Sequence, residues 1–146
     1  MKDIMVKVIL ESGVDVPKYM TEGAAGMDVK ANIQVPIKLK TLDRVLVPTG
    51  IKMEIPQGYE VQVRPRSGLA IKHGITLVNA PGTIDSDYRG EIKIIMINLS
   101  TEEYTIEPGE RIAQLVLQKV YRMEFEEVDI LEESERATGG FGHTGK

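Results

Sequence analysis

The residues of this chain that could do chemistry fall into a few short segments, and the densest is 82–90, GTIDSDYRG. Asp85, Asp87 and Tyr88 stand there where a plain hairpin needs fewer polar groups, and Asn79 lies six residues before Asp85. Asp85 can serve a turn or take a proton from an attacking water. Asp87, beside Arg89 and before Gly90, reads as a turn or ion-pair carboxylate. If the segment is extended throughout, alternation sends Asp85 and Asp87 to one face and Ser86 and Tyr88 to the other. Segment 64–69, RPRSGL, suits an anion. A helix capped by Ser67 leaves its first amides without intrahelical partners and with partial positive charge. Arg66 adds a full charge, Ser67 a hydroxyl, and Gly68 lets a phosphate approach the main chain; an ordinary cap beside a surface arginine is the plainer reading. Segment 108–114, PGERIAQ, offers Arg111 and Gln114 as donors, and Gln114 interrupts an apolar run where it needs a partner if buried. Asp28, after the small residues of 23–26, is explained equally well as a turn cap.

A set of short strands must position these groups. Val29, Ala31, Ile33 and Val35 alternate with polar residues, which predicts a half-buried strand over 29–35. The same period marks Ile51, Met53 and Ile55, then Tyr59, Val61 and Val63, and again Tyr121, Met123 and Phe125. Apolar runs at 75–78, 92–97 and 115–117 predict more deeply buried strands, the first two as arms of a hairpin around 79–90. Pro48, Pro56, Pro81 and Pro108 punctuate the chain as turns. One short helix fits, over 67–73, with Ser67 as N-cap and Gly74 as its stop. The expected fold is all-β, a jelly-roll-like antiparallel sandwich or barrel. One β domain is expected over 1–131, followed by a glycine-rich tail over 132–146. In that tail Phe141 stands among Gly139, Gly140 and Gly142 and cannot pack a core, so it reads as a disordered end or as a flap carrying a stacking side chain.

Composition narrows the function. At 146 residues and 42% hydrophobic, the chain can bury one core. A net charge of -4 argues against nucleic acid held on a broad basic surface, and with no Trp there is no interleaved aromatic and basic pattern for single strands. The absence of cysteine and of a long apolar run points to a cytoplasmic protein with no membrane partner. His73 and His143 have no second histidine at ligand spacing. No Ser-His-Asp set, P-loop or dinucleotide fingerprint is present.

Taken in order, AGMD at 25–28, PRSGLA at 65–70, segment 82–90, GERIAQ at 109–114 and the tail from 136 to 145 resemble the five motifs of the trimeric deoxyuridine triphosphatase (dUTPase) family. The resemblance implies a jelly-roll homotrimer with active sites at subunit contacts, each closed by a neighbour's tail. It implies hydrolysis of dUTP to dUMP and pyrophosphate with Mg2+, which keeps uracil out of DNA and supplies dUMP for thymidylate synthesis. By the same resemblance Asp85 activates the water, and Asp28 holds Mg2+ through water. Arg66, Ser67, Gly68, Gln114 and Arg136 face the phosphates. Asn79, Thr83, Ile84 and Lys93 surround the base, partly through main chain, Tyr88 lies under the sugar, and Phe141 with Gly142 covers the uracil. Ala137 departs from the usual glycine after the tail arginine, and His143 stands where serine is common. A dCTP deaminase-like enzyme and a nucleotide-binding regulatory trimer are the alternatives.

Overall fold

The computed structural model describes residues 2–145; Met1 and Lys146, the outermost residues of the expected domain and tail, lie outside the described residues. Ten strands and one helix follow in order: β1 Lys7–Leu10, β2 Met27–Lys30, β3 Ile37–Leu39, β4 Arg44–Glu54, β5 Tyr59–Arg64, α1 Ser67–His73, β6 Ile75–Leu77, β7 Gly82–Ile84, β8 Glu91–Asn98, β9 Tyr104–Ile106 and β10 Arg111–Lys119. One sheet has the order β1-β4-β8-β6, a second β2-β10-β5-β7, and β3 pairs with β9 alone. Every pairing is antiparallel, as expected of a jelly-roll-like sandwich. Among the described residues no helix is long and apolar enough to cross a membrane.

The period of two sets which side chains meet. Val47, Ile51 and Met53 of β4, Val61 and Val63 of β5, Ile92, Ile94 and Met96 of β8, and Ile112 and Leu115 of β10 fill the core between the sheets. The run 92–97 is therefore not buried throughout: Ile95 and Ile97 are half-buried on the opposite face. Pro48 lies inside β4 rather than in a turn. The ladder to β8 is irregular between Pro48 and Lys52, a place where a residue without an N–H is tolerated. Buried Thr49 donates its hydroxyl to Ile92 O at 2.6 Å in that irregular stretch.

Two expected strands come out differently. The one over 29–35 ends at Lys30, because Ala31 and Asn32 turn their amides to Glu110 O and Pro48 O, 2.8 Å each, and so tie the two sheets together. Residues 121–125 form no strand, and Tyr121, Met123 and Phe125 are over four-fifths exposed. Helix α1 runs where expected, but its N-cap is Arg66, with no side-chain cap bond, so Ser67 is the first helical residue and its hydroxyl is not spent on capping. Gly74 closes the helix at φ 63, a left-handed conformation that glycine adopts without steric cost.

Candidate active site

Most of the expected site residues gather in two places, one in a cleft beside β7, which pairs with β5 from Val61 to Val63, and one at the C-terminal end of β5. At its C-terminal end, β2, β10 and β5 lie side by side, with Gln114 the Cα partner of both Asp28 and Arg64. Asp28 is mostly buried and central: Arg66 Nε lies 3.3 Å from its Oδ1 and Arg111 Nη1 3.8 Å from its Oδ2. Arg66 Nη1 also donates to Arg111 O at 3.0 Å. The two arginines thus clamp one carboxylate, and α1 begins directly after with Ser67 and Gly68 exposed. Gln114 is seated by Gly26, where an added Cβ would come within 2.8 Å of Gln114 Oε1. The turn into β10 is braced by Glu110, which accepts from the Tyr104 hydroxyl and, at 3.0 Å, from Glu107 N. Burial and the Glu110 carboxylate push the Tyr104 phenol well above its ordinary range. A cavity of about 720 Å³ borders this end, lined in part by Asp28, Lys30, Asn32 and Arg111.

The second place is a cleft of about 480 Å³ between β8 and the segment 79–88, lined by Asn79, Thr83, Ile84, Asp85, Tyr88, Glu91 and Lys93, with Leu46 and Val63 also in its wall. The arms of the expected hairpin are β6 and β8, but β7 branches between them to pair with β5 in the other sheet. Thr83 and Ile84 sit on that strand. Asp85 does not continue it. Residues 85–88 form a turn closed by Tyr88 N to Asp85 O at 3.2 Å, so the expected sharing of one strand face by Asp85 and Asp87 does not hold. Arg89 Nη1 holds the turn by donating to Ser86 O and Tyr88 O at 2.7 and 3.2 Å. Both Asp85 and Tyr88 are exposed at the cleft.

Glycines seat two side chains of the cleft, Asn79 and Tyr88. An added Cβ at Gly82 would meet Asn79 Nδ2 at 2.8 Å, and one at Gly90 would collide with the Tyr88 ring, whose hydroxyl donates to Glu91 O at 2.9 Å. Sequence reasoning missed Glu91. It contributes a buried carboxylate oxygen, Oε2, with no hydrogen-bond partner among the described residues, and its place directly after the 82–90 segment was the available signal.

The tail joins neither place. Arg136 Nε donates to Gly139 O at 2.7 Å, Ala137 N donates to Ser134 Oγ at 3.1 Å, and Phe141 is fully exposed beside Gly142. Ala137 and Phe141 hold φ of 48 and 52, left-handed values unusual for residues with a Cβ. Among the described residues no group of three or more His, Cys, Asp or Glu could hold a metal ion by itself.

The dUTPase family model matches residues 13–145, a span that includes both ends of β5 and the tail. The chain is 66% identical over 146 residues to the deoxyuridine 5'-triphosphate nucleotidohydrolase of Fusobacterium nucleatum subsp. nucleatum, covering 100% of each. It is 61% identical over 140 residues to that of Finegoldia magna, covering 96% of this chain and 98% of the other. The solved dUTPase of Staphylococcus bacteriophage 80alpha with dUPNHPP is 26% identical at a TM-score of 0.85, over 97% of this chain and 99% of that one. With the motifs, the antiparallel sandwich and these matches in agreement, this chain belongs to the dUTPase family.

Proposed function

We propose that the chain hydrolyses dUTP to dUMP and pyrophosphate as a homotrimer whose active sites are each assembled from more than one subunit. The observation that carries this reading is the separation of the two half-sites. Asp85 follows Ile84, the partner of Val61 near the start of β5, whereas Arg66 lies beyond Arg64, where β5 ends. The span from Glu60 to Arg64 alone is roughly 13 Å, so one chain does not bring its water-activating carboxylate to its own phosphate donors. A neighbour's hairpin laid against the Arg66 end completes the site.

In the completed site the hairpin cleft takes the nucleoside. Asn79 and the main chain around Thr83, Ile84 and Lys93 read uracil, and cytosine is rejected because its reversed donor pattern leaves buried groups unpaired. The Tyr88 ring, fixed over Gly90, stands under the sugar and leaves no room for a ribose 2′-hydroxyl. Arg66, Ser67, Gly68 and Gln114 of the other chain bind the triphosphate. Asp85 orients a water and takes its proton as the oxygen attacks the α-phosphorus. A carboxylate is a weak base, so most of the acceleration comes from in-line placement and from cancelling charge on the phosphates. Mg2+ fits as a partner of the triphosphate, where it would neutralise charge. Asp28 suits an outer role through water, since Arg66 and Arg111 already engage both its oxygens. The segment 132–146 serves as a tail closing over a neighbouring site, bringing Arg136 to the phosphates and Phe141 with Gly142 to the uracil. A cytoplasmic setting is part of the proposal, on the absence of cysteine.

The test is to incubate the protein and Mg2+ with dUTP, dCTP, dTTP or UTP and to measure pyrophosphate, ammonia and nucleotide product. Pyrophosphate from dUTP alone is expected; ammonia from dCTP would overturn the reading. Asp85→Asn should keep dUTP binding and lose turnover by a factor of about 10² to 10⁴. Unchanged turnover would remove Asp85 from the mechanism.

A further inference from the structure

Arg64 lies just outside the segments that match the family motifs, yet the sheet places it in the phosphate half-site. It is the Cα partner of Gln114, which is itself the partner of Asp28. Directly opposed residues on adjacent strands project to the same face about 5 Å apart. Asp28, Gln114 and Arg64 therefore form one row across three strands, and Arg66, bonded to Asp28, stands at its edge.

The guanidinium of Arg64 is held in a fixed orientation. Its Nε and Nη2 donate to Gln62 Oε1 at 3.2 and 2.8 Å, and Gln62 Nε2 donates to Glu60 Oε1 at 2.8 Å. The group holding it is a neutral amide, so orientation is set without cancelling charge. Arg66 and Arg111, by contrast, share the carboxylate of Asp28. No carboxylate pairs with Arg64 among the described residues. The bonds to Gln62 use two of the roughly five guanidinium N–H donors and leave the others for a ligand.

We propose that Arg64 is a further triphosphate-binding residue, a third arginine of the phosphate half-site, pre-oriented by the Gln62–Glu60 relay. The inference rests on the dUTP reading above. A cation already ordered before binding loses little conformational freedom when the ligand arrives, and one with no directly paired carboxylate keeps more of its attraction for the polyphosphate.

The experiment compares wild type, Arg64→Gln, Arg64→Lys and Gln62→Glu in dUTP turnover, dUMP inhibition and gel filtration. Arg64→Gln is expected to raise the KM for dUTP about tenfold, the low end for a charge-assisted contact at an exposed position. It should change kcat less than KM, leave dUMP inhibition unaltered because dUMP lacks the outer phosphates, and flatten the salt dependence of KM. Arg64→Lys keeps the charge but not the two-donor bond to Gln62, and should recover only part of the loss. Gln62→Glu sets a carboxylate against the guanidinium and should raise KM in the same direction with Arg64 still present. An unchanged KM in Arg64→Gln, an equal loss for dUMP, or dissociation of the assembly would overturn the proposal. If the wild type fails to hydrolyse dUTP, the underlying reading falls with it; a working wild type beside an unaffected Arg64→Gln sinks the Arg64 role alone.

Discussion

Three of the expected site side chains are seated by residues with no side chain of their own. Gly26 leaves room for the Gln114 amide, Gly82 for that of Asn79, and Gly90 for the ring of Tyr88. At Gly82 an added Cβ would lie 2.8 Å from Asn79 Nδ2 and 3.4 Å from Val63 Cβ. The second distance is an ordinary contact. The first is not, and the flexible amide gives way before the sheet does. Gly82→Ala is therefore expected to fold and assemble normally while swinging Asn79 out of place. The KM for dUTP and the inhibition constant for dUMP should both rise by about tenfold, the worth of one base-reading hydrogen bond. Titration of the variant with dUMP checks this. A defect confined to dUTP would mean that Gly82 serves the phosphates, and normal affinity for both nucleotides would detach Asn79 from base reading.

At the scale of elements, what the sequence made legible was whatever depends on neighbours two residues apart. Ile51, Met53 and Ile55 and then Tyr59, Val61 and Val63 mark their strands because alternation is a local property with the core on one side. The end of β2 was not legible, since Ala31 and Asn32 keep the alternating pattern while their amides bond to Glu110 and Pro48, far away in sequence. Nor was the turn at 85–88, where Tyr88 N closes on Asp85 O inside a segment whose residue types also suit a strand. The expected site residues were singled out by type and order, but where the strands place them depends on the pairing of β2, β5, β7 and β10, which alternation does not give. The tail is the element with fewest ties: its hydrogen bonds are to itself, and the last strand ends at Lys119. Removing residues 136–146 should therefore leave the melting temperature within about 2 °C and the assembly intact. Turnover should fall by at least about a hundredfold as the site loses Arg136 and its cover against water. Calorimetry, gel filtration and dUTP assay of the truncated chain together decide it; full activity would refute a closing tail.

At the scale of the whole molecule, a single chain leaves surfaces that a second copy would cover. Leu46 is 54% and Val78 51% exposed beside half-buried Ile95 and Ile97, on the outer face of the sheet whose strands carry the nucleoside cleft. Tyr121, Met123 and Phe125 extend beyond the last strand with their apolar faces bare, and Glu91 keeps a buried oxygen with no donor among the described residues. A head-to-tail contact that buries one such surface against another closes into a ring when the rotation permits, and in the proposed trimer such a ring would supply each Arg66 end with a neighbour's Asp85 hairpin. That geometry separates two kinds of damage within one polypeptide. Trimers of Asp85→Asn alone lack the base in every site, and trimers of Arg66→Ala lack a phosphate donor in every site. Co-expressed, the two chains should form mixed trimers in which about one site in four joins an intact Asp85 from one chain to an intact Arg66 from another, if assembly is random. Purified mixtures should thus recover about a quarter of wild-type turnover from two nearly dead parents. Were Asp85 and Arg66 of the same chain to meet in one site, every site of every mixture would carry a lesion, and co-expression would restore nothing.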